Sequence, residues 1–321
     1  MRPLLIISAA AVAAACGGND ASSGATAGAT TAGADTAVAR DSAATFASAG
    51  RTEGFSVPEA ARYDADLDAF FVSNIDGNPS QKDNRARIVR VAAGDSAGTP
   101  TILVEGGKNG VTLHAPKGMA IIGDTLWVSD IDVVRAFDKR SGKATRTVTP
   151  QPAATFLNDV AVGGDGAVYV TDTGIRFDAS GGMTGNLPNR IYRIQGDSGR
   201  VALESASLGS PNGIAWEQAK SRFLLAPFNG KDIVSWTPGD STLTKVATGP
   251  GGYDGLEILA DGRALVSSWT DSTVQLIQGD GTMRPVVKGI AAPADIGVDT
   301  KRNVLAVPRF NDGRVEYFKI Q

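Results

Sequence analysis

The chain has 321 residues, 42% of them hydrophobic and 20% charged, with a formal net charge of −3. This is a soluble composition, and its slight acidity, without any basic run, argues against a nucleic-acid partner. One Cys and one His in the whole chain exclude a disulfide framework and a metal site built on His or Cys.

Met1 to Ile7 carry one positive charge and lead into an apolar run that ends at Ala15. The run is too short to span a bilayer and reads as an export signal, residues 1–15. Ala13-Ala14-Ala15-Cys16 resembles the lipobox of bacterial lipoproteins. That resemblance implies a lipid on Cys16 and a protein anchored in the bacterial cell envelope; a plain secretory signal with an incidental Cys is the other reading. Residues 16–49 are nearly all Ala, Gly, Ser, Thr and Asp. Such a stretch cannot bury enough apolar surface to order itself, and it reads as a tether. The folded domain is expected over residues 50–321.

Within that domain a short segment recurs six times: Pro58-Glu59-Ala60, Pro116-Lys117-Gly118, Leu157-Asn158-Asp159, Pro211-Asn212-Gly213, Tyr253-Asp254-Gly255 and Pro293-Ala294-Asp295. Each trio runs straight into a short apolar stretch. Repetition at roughly 40–58 residues predicts four-stranded propeller blades, and six copies predict an all-β, six-bladed β-propeller with antiparallel blades. In blade one, Ala69–Ser73, Arg87–Val91 and Thr101–Val104 follow the trio as strands with alternating polarity. Blade two repeats this with Thr125–Val128 and Val133–Phe137, blade three with Ala167–Val170 and Arg190–Ile194. Blades four to six follow with Arg222–Leu225 and Asp232–Trp236, Ala264–Val266 and Thr273–Ile277, and Val304–Val307 and Arg314–Phe318. Blade six lacks an outer strand, and Arg51 to Val57 is the candidate to supply it and close the ring. Two second-to-third-strand loops, Asn74 to Ala86 and Asp172 to Asn189, exceed the usual length. Both fall on the face where the trios begin, as lids over the mouth or as surface decoration.

A propeller brings its innermost strands to a central channel, so the middle residues of the trios, Glu59, Lys117, Asn158, Asn212, Asp254 and Ala294, form one ring. Two carboxylates and two amide oxygens suit a hard divalent cation, Ca²⁺ or Mg²⁺. Zn²⁺ and Mn²⁺ are weaker matches without nitrogen or sulfur ligands. Asn212-Gly213 and Asp254-Gly255 are also common turn dipeptides, but Pro58-Glu59, at the same repeat position, is not.

The run Pro58-Glu59-Ala60-Ala61-Arg62-Tyr63-Asp64 through Phe71-Val72-Ser73, with Leu157-Asn158-Asp159, Pro211-Asn212-Gly213 and Tyr253-Asp254-Gly255-Leu256 in order, resembles the gluconolactonase/regucalcin (senescence-marker-protein, SMP-30) family. The resemblance implies a small lactone-like substrate, with one divalent cation on Glu59, Asn212 and Asp254. It further implies Asp254 as general base in lactone hydrolysis, with Asn158 completing the site or touching substrate. Enzymes of the group carry an Arg two residues before that Asn to grip substrate; here Phe156 stands there, against sugar-lactone recognition. Lys117 is a candidate substrate contact, or a counter-charge that competes with the metal. His114 cannot supply the His pair of a paraoxonase-like lactonase and reads as a loop histidine. The second functional reading is a non-catalytic propeller, similar to NHL-type repeats, that binds a ligand or partner at the cell surface. A monomer is expected.

Overall fold

The structure, a computed structural model, describes residues 44–94 and 98–321. The proposed signal, Cys16 and most of the tether lie outside the described residues. The compact unit Thr45–Gln321 is built from six four-stranded antiparallel sheets. Blade one runs Pro58–Asp64, Ala69–Asn74, Arg87–Ala92 and Thr101–Glu105, and blade two Pro116–Ile122, Thr125–Asp130, Val133–Asp138 and Ala144–Val148. Blades three, four and five begin at Leu157–Val162, Pro211–Glu217 and Tyr253–Ile258. In blades one to five the strands follow chain order from the axis outward.

Blade six has Gly297–Asp299, Val304–Arg309 and Arg314–Ile320, and its outer strand comes from the other end of the domain. That strand is Phe46–Glu53, antiparallel to Arg314–Ile320 from Phe46↔Ile320 to Glu53↔Arg314. It begins five residues earlier than the expected Arg51 to Val57. The shift has a backbone cause: Gly54 and Val57 both have positive φ, 93° and 53°, which breaks an extended strand after Glu53. At the axis the ring is closed a second time. The Asp295 amide donates to the Glu59 carbonyl (2.8 Å) and the Ala61 amide to the Asp295 carbonyl (3.1 Å), a short parallel bridge between blades one and six.

The cores sit between neighbouring blades. Tyr169, Phe223 and Trp236 of blades three and four are fully buried and pack ring against ring, with Phe223 and Trp236 stacked at 5.8 Å. Met119, Leu126 and Phe137 of blade two join Phe71 and Ile88 of blade one.

In five blades the register of the inner strand slips at the trio: Pro58/Ala60, Pro116/Met119, Leu157/Val160, Pro211/Ile214 and Tyr253/Leu256. The trio is therefore a β-bulge, which unpairs its residues from the ladder and re-aims them. Asn212-Gly213 and Asp254-Gly255 lie inside strands and are not turns. The third trio position touches the next blade. A Cβ on Gly255 would fall 2.4 Å from the Asp295 Cα, and one on Gly118 2.5 Å from the Asp159 Cα, so only glycine fits at these two approaches.

Removal of residues 1–44 is expected to leave cooperative urea unfolding intact. Removal of residues 1–53 is expected to lower the midpoint sharply, because it bares the edge of Arg314–Ile320; equal midpoints for the two truncations would refute the closure.

Candidate functional site

In four blades the trio is flanked by a hydroxyl on the strand beside it. Strand two ends Val72-Ser73-Asn74, Val128-Ser129-Asp130, Val170-Thr171-Asp172 and Val266-Ser267-Ser268 in blades one, two, three and five. The hydroxyl at the middle position serves the bulge. Ser73 accepts from the Ala60 amide (2.9 Å), Thr171 from Asp159 (3.0 Å) and Ser267 from Gly255 (2.8 Å). Hydroxyls at this position also reach forward to the next blade: Ser129 donates to the Asn158 carbonyl, Thr171 to that of Asn212 (2.7 Å) and Ser267 to that of Ala294 (2.9 Å). The following carboxylate fixes the approach to the trio. Asp130 accepts from the His114 and Ala115 amides, and Asp172 from those of Thr155 and Phe156.

So positioned, Glu59, Lys117, Asn158, Asn212 and Asp254 are all buried at the ring. Three of them carry a buried oxygen with no hydrogen-bond partner: Glu59 Oε2, Asn212 Oδ1 and Asp254 Oδ1. These are the three residues expected to hold a metal. Buried acceptors left unpaired cost free energy, and two carboxylate oxygens with one amide oxygen form the donor set of a hard divalent cation. The residues present therefore fit such an ion. Among the described residues no three His, Cys, Asp or Glu side chains converge, so the amide of Asn212 is essential to this set.

Burial, with the nearby Asp254 charge next, pushes the Glu59 carboxyl well above its ordinary value, while Lys117 pulls it down. Burial pushes Asp254 up to about 7; the Trp269 indole N–H, 2.9 Å from Oδ2, opposes the rise. Lys117 does not point to solvent. Its Nζ donates to the Ala115 and Pro79 carbonyls (3.1 and 3.3 Å) and lies 4.1 Å from the centre of the Phe156 ring. Desolvation lowers its pKa to about 8. No carboxylate lies within ion-pair distance of it among the described residues, so it acts on Glu59 through space. The Asn158 amide donates to the Thr173 hydroxyl (3.2 Å), and Ala294 adds only an apolar wall. His114 is a loop histidine whose Nδ1 accepts from the Asn84 amide (3.0 Å).

The two long loops meet. The Phe177 amide donates to the Ser80 hydroxyl (2.9 Å) and the Asn78 side chain to the Asp178 carbonyl (2.6 Å). The second loop carries a small hairpin, Arg176–Phe177 with Met183–Thr184, whose Phe177 packs on Phe156 at 5.7 Å. With Pro79 on Lys117, the loops bridge over the sector of the mouth held by blade two.

Two features were not foreseen. Trp269, which touches Asp254, follows the second strand of blade five; an aromatic just after the Ser267-Ser268 ending was the available signal. One residue further along the inner strands, Asp159 and Asp295 form a second tier with Arg62 and Glu257. The Arg62 guanidinium is bonded to Glu257 and lies 3.6 Å from Asp295 and 3.9 Å from Asp159. An Asp where other blades carry Gly or Ala marked this tier in the sequence. Arg62 also floors a cavity of about 170 Å³ between the far ends of the inner strands, walled by Ile121, Val162 and Ala215.

The SMP-30/Gluconolactonase/LRE-like region matches residues 57–296. No curated protein matches the sequence. Among solved structures, a gluconolactonase from Xanthomonas campestris superposes with a TM-score of 0.65 at 18% identity, over 84% of this chain and 88% of that one. A luciferin-regenerating enzyme gives 0.61 at 14% identity over 84% and 94%, and a streptogramin B lyase 0.57 at 13% over 87% and 97%. At these identities the likeness speaks for the fold.

The raised folded-state pKa of Asp254, about 7 against an ordinary 3.8, fixes a sign. Its stabilising contribution is fully present below the ordinary carboxylate range and is lost as pH rises through about 7. In chelator, the melting temperature of the wild type is expected to fall between about pH 4 and pH 8 more steeply than that of Asp254→Asn. Parallel profiles would show that Asp254 titrates normally.

Proposed function

Because the chain belongs to the SMP-30/gluconolactonase/LRE-like family, we propose that it is a divalent-metal-dependent hydrolase that opens a lactone or related ester at the mouth of the channel. The observation that carries this reading is the trio of unpartnered buried oxygens on Glu59, Asn212 and Asp254. Those three residues would hold the cation, Ca²⁺ first, then Mg²⁺, with Mn²⁺ and Zn²⁺ less suited to an all-oxygen set. A divalent cation supplies polarisation of the ester carbonyl and acidification of water.

The protein's own part is positional and acid–base. Asp254 accepts the proton of the attacking water. Without a cation, burial holds its carboxyl up at about 7; a bound cation would lower that value and keep the carboxylate ionised, ready to accept a proton. Trp269 fixes the rotamer by holding Oδ2, which leaves Oδ1 buried and without a hydrogen-bond partner. Asn158 stands beside this set as a substrate contact, and the Lys117 ammonium offsets the Glu59 charge and faces the negative charge that builds up as the ring opens. The loops that meet above blade two exclude water from one sector of the mouth.

Asp254→Asn is expected to reduce lactone hydrolysis about 10²–10⁴-fold, the usual scale for loss of a general base, and to blunt stabilisation by Ca²⁺. For the wild type, a free cation concentration a hundredfold above Kd is expected to add about 2.7 kcal/mol of stability, read as a higher melting temperature that chelator reverses. A second reading, the non-catalytic ligand-binding propeller, draws on Lys117, whose charge near Glu59 can replace a cation. On that reading melting ignores every divalent ion in the wild type, and Lys117→Ala acquires the response instead.

For location, we propose the bacterial envelope with a lipid on Cys16. Cys16→Ser is then expected to move the protein from the membrane fraction to the soluble fraction of a bacterial host; unchanged retention would refute the anchor.

A further inference from the structure

Resting on the hydrolase reading, we propose that the substrate is a hydrophobic lactone or ester, aryl- or alkyl-substituted, rather than a polyhydroxylated one. All six blades contribute an apolar side chain around the ring: Val57, Ile131, Phe156, Phe228, Trp269 and Phe310, in blade order. On the Asp254 side, Trp269 is held by its indole N–H to the carboxylate and packs on Phe310 at 5.4 Å and Phe228 at 5.8 Å. On the Asn158 side, Phe156 lies under the Lys117 ammonium and against Phe177. Phe177, Phe228 and Trp269 remain partly exposed. The two aromatic groups lie on either side of the residues with unpartnered oxygens, so a scissile carbonyl drawn to a cation held by those residues would have its substituent near the rings.

The polar groups point the same way. Recognition of hydroxyls needs side-chain donors and acceptors free to meet them. At this ring the Lys117 ammonium donates to two carbonyls, the Asn158 amide to Thr173 and the Trp269 indole to Asp254. The unpaired groups are acceptors, suited to a cation. With two of the three Lys117 N–H groups taken, a sugar lactone would lose its water shell against phenyl rings with few donors in return, whereas an apolar substituent gains from the same contact.

The hairpin turns this preference into a device that can be altered separately from the chemistry. Phe177 sits over the mouth because its own amide is tied to Ser80 and its ring to Phe156. It touches neither Glu59, Asn212 nor Asp254 in any hydrogen bond or ring contact.

The test compares kcat/KM of the Ca²⁺-supplemented protein for dihydrocoumarin and δ-gluconolactone. Binding of the two corresponding lactams, which do not hydrolyse, is measured in parallel by calorimetry. The aryl compound is expected to win both comparisons by about 10-fold or more, the scale of hydrophobic-pocket discrimination. Phe177→Ala, a change in a partly exposed hairpin, is expected to raise KM for dihydrocoumarin about 10-fold with little change in kcat, and Phe156→Arg to narrow the ratio between the two lactones. Equal or better use of gluconolactone, together with equal or tighter binding of its lactam, would overturn the proposal while leaving the hydrolase reading intact. If neither lactone is hydrolysed, the hydrolase reading falls and the lactams decide: tighter aryl-lactam binding, weakened by Phe177→Ala, upholds the apolar site, and absence of such binding refutes it.

Discussion

The inner strands of five of the six blades bulge where they reach the axis. A bulge frees backbone N–H and C=O groups from the ladder, and buried groups of that kind need partners. In blades one, two, three and five a Ser or Thr at the end of the second strand supplies them. Thr171 and Ser267 each take an amide from their own bulge and give a proton to a carbonyl of the next one. The hydroxyl is the smallest group able to do both at once, and it links the geometry of one blade to that of its neighbour. Asn158, Asn212 and Ala294 of the ring are tied to this chain of contacts through their carbonyls.

That geometry concentrates charge. Five carboxylates, Glu59, Asp159, Asp254, Glu257 and Asp295, share the channel with the cations Lys117 and Arg62, and burial raises the pKa of all five acids. The two tiers meet this differently. In the inner tier Arg62 is bonded to Glu257 and lies between the two aspartates, and the Asp159 oxygens accept the Val160 and Ile214 amides (2.6 and 2.8 Å). In the outer tier Lys117 is turned to backbone carbonyls, and the carboxylates keep one free oxygen each. Buried oxygens stay without a hydrogen-bond partner in both tiers, two on Asp295 and one each on Glu59 and Asp254; what separates the tiers is the acceptor each cation is tied to, a carboxylate for Arg62 and backbone carbonyls for Lys117.

The trio repeat made the blade count, the ring membership and the face of the long loops legible, because a propeller converts sequence period directly into angular position. Strand alternation located the second and third strands of every blade for the same reason. What the sequence left open depends on contacts between distant residues. Whether Asn212-Gly213 turns or bulges depends on the hydroxyl of Thr171, 41 residues earlier. The direction of Lys117 depends on Pro79, in a loop of another blade. Trp269 carries no periodic mark, since it follows a strand rather than lying in one. The edge of the closing strand was displaced because Gly54 and Val57 act through φ, which residue alternation does not report.

The closing strand also fixes how the ring responds to load. Phe46 pairs with Ile320, so the strand's free beginning lies beside the end of the chain. Tension applied ahead of Thr45 acts first on Thr45, which exchanges two backbone hydrogen bonds with Gln321, and then on the pairs from Phe46↔Ile320 onward in turn, which peels the strand bond by bond. A strand of opposite polarity would have been loaded in shear, with all of its bonds sharing the force. The inner bridge between Glu59 and Asp295 lies far from this line of pull and would hold blades one and six together at the axis while the rim opens, so the blade interface most exposed to mechanical rupture at its rim is also the one latched at the hub.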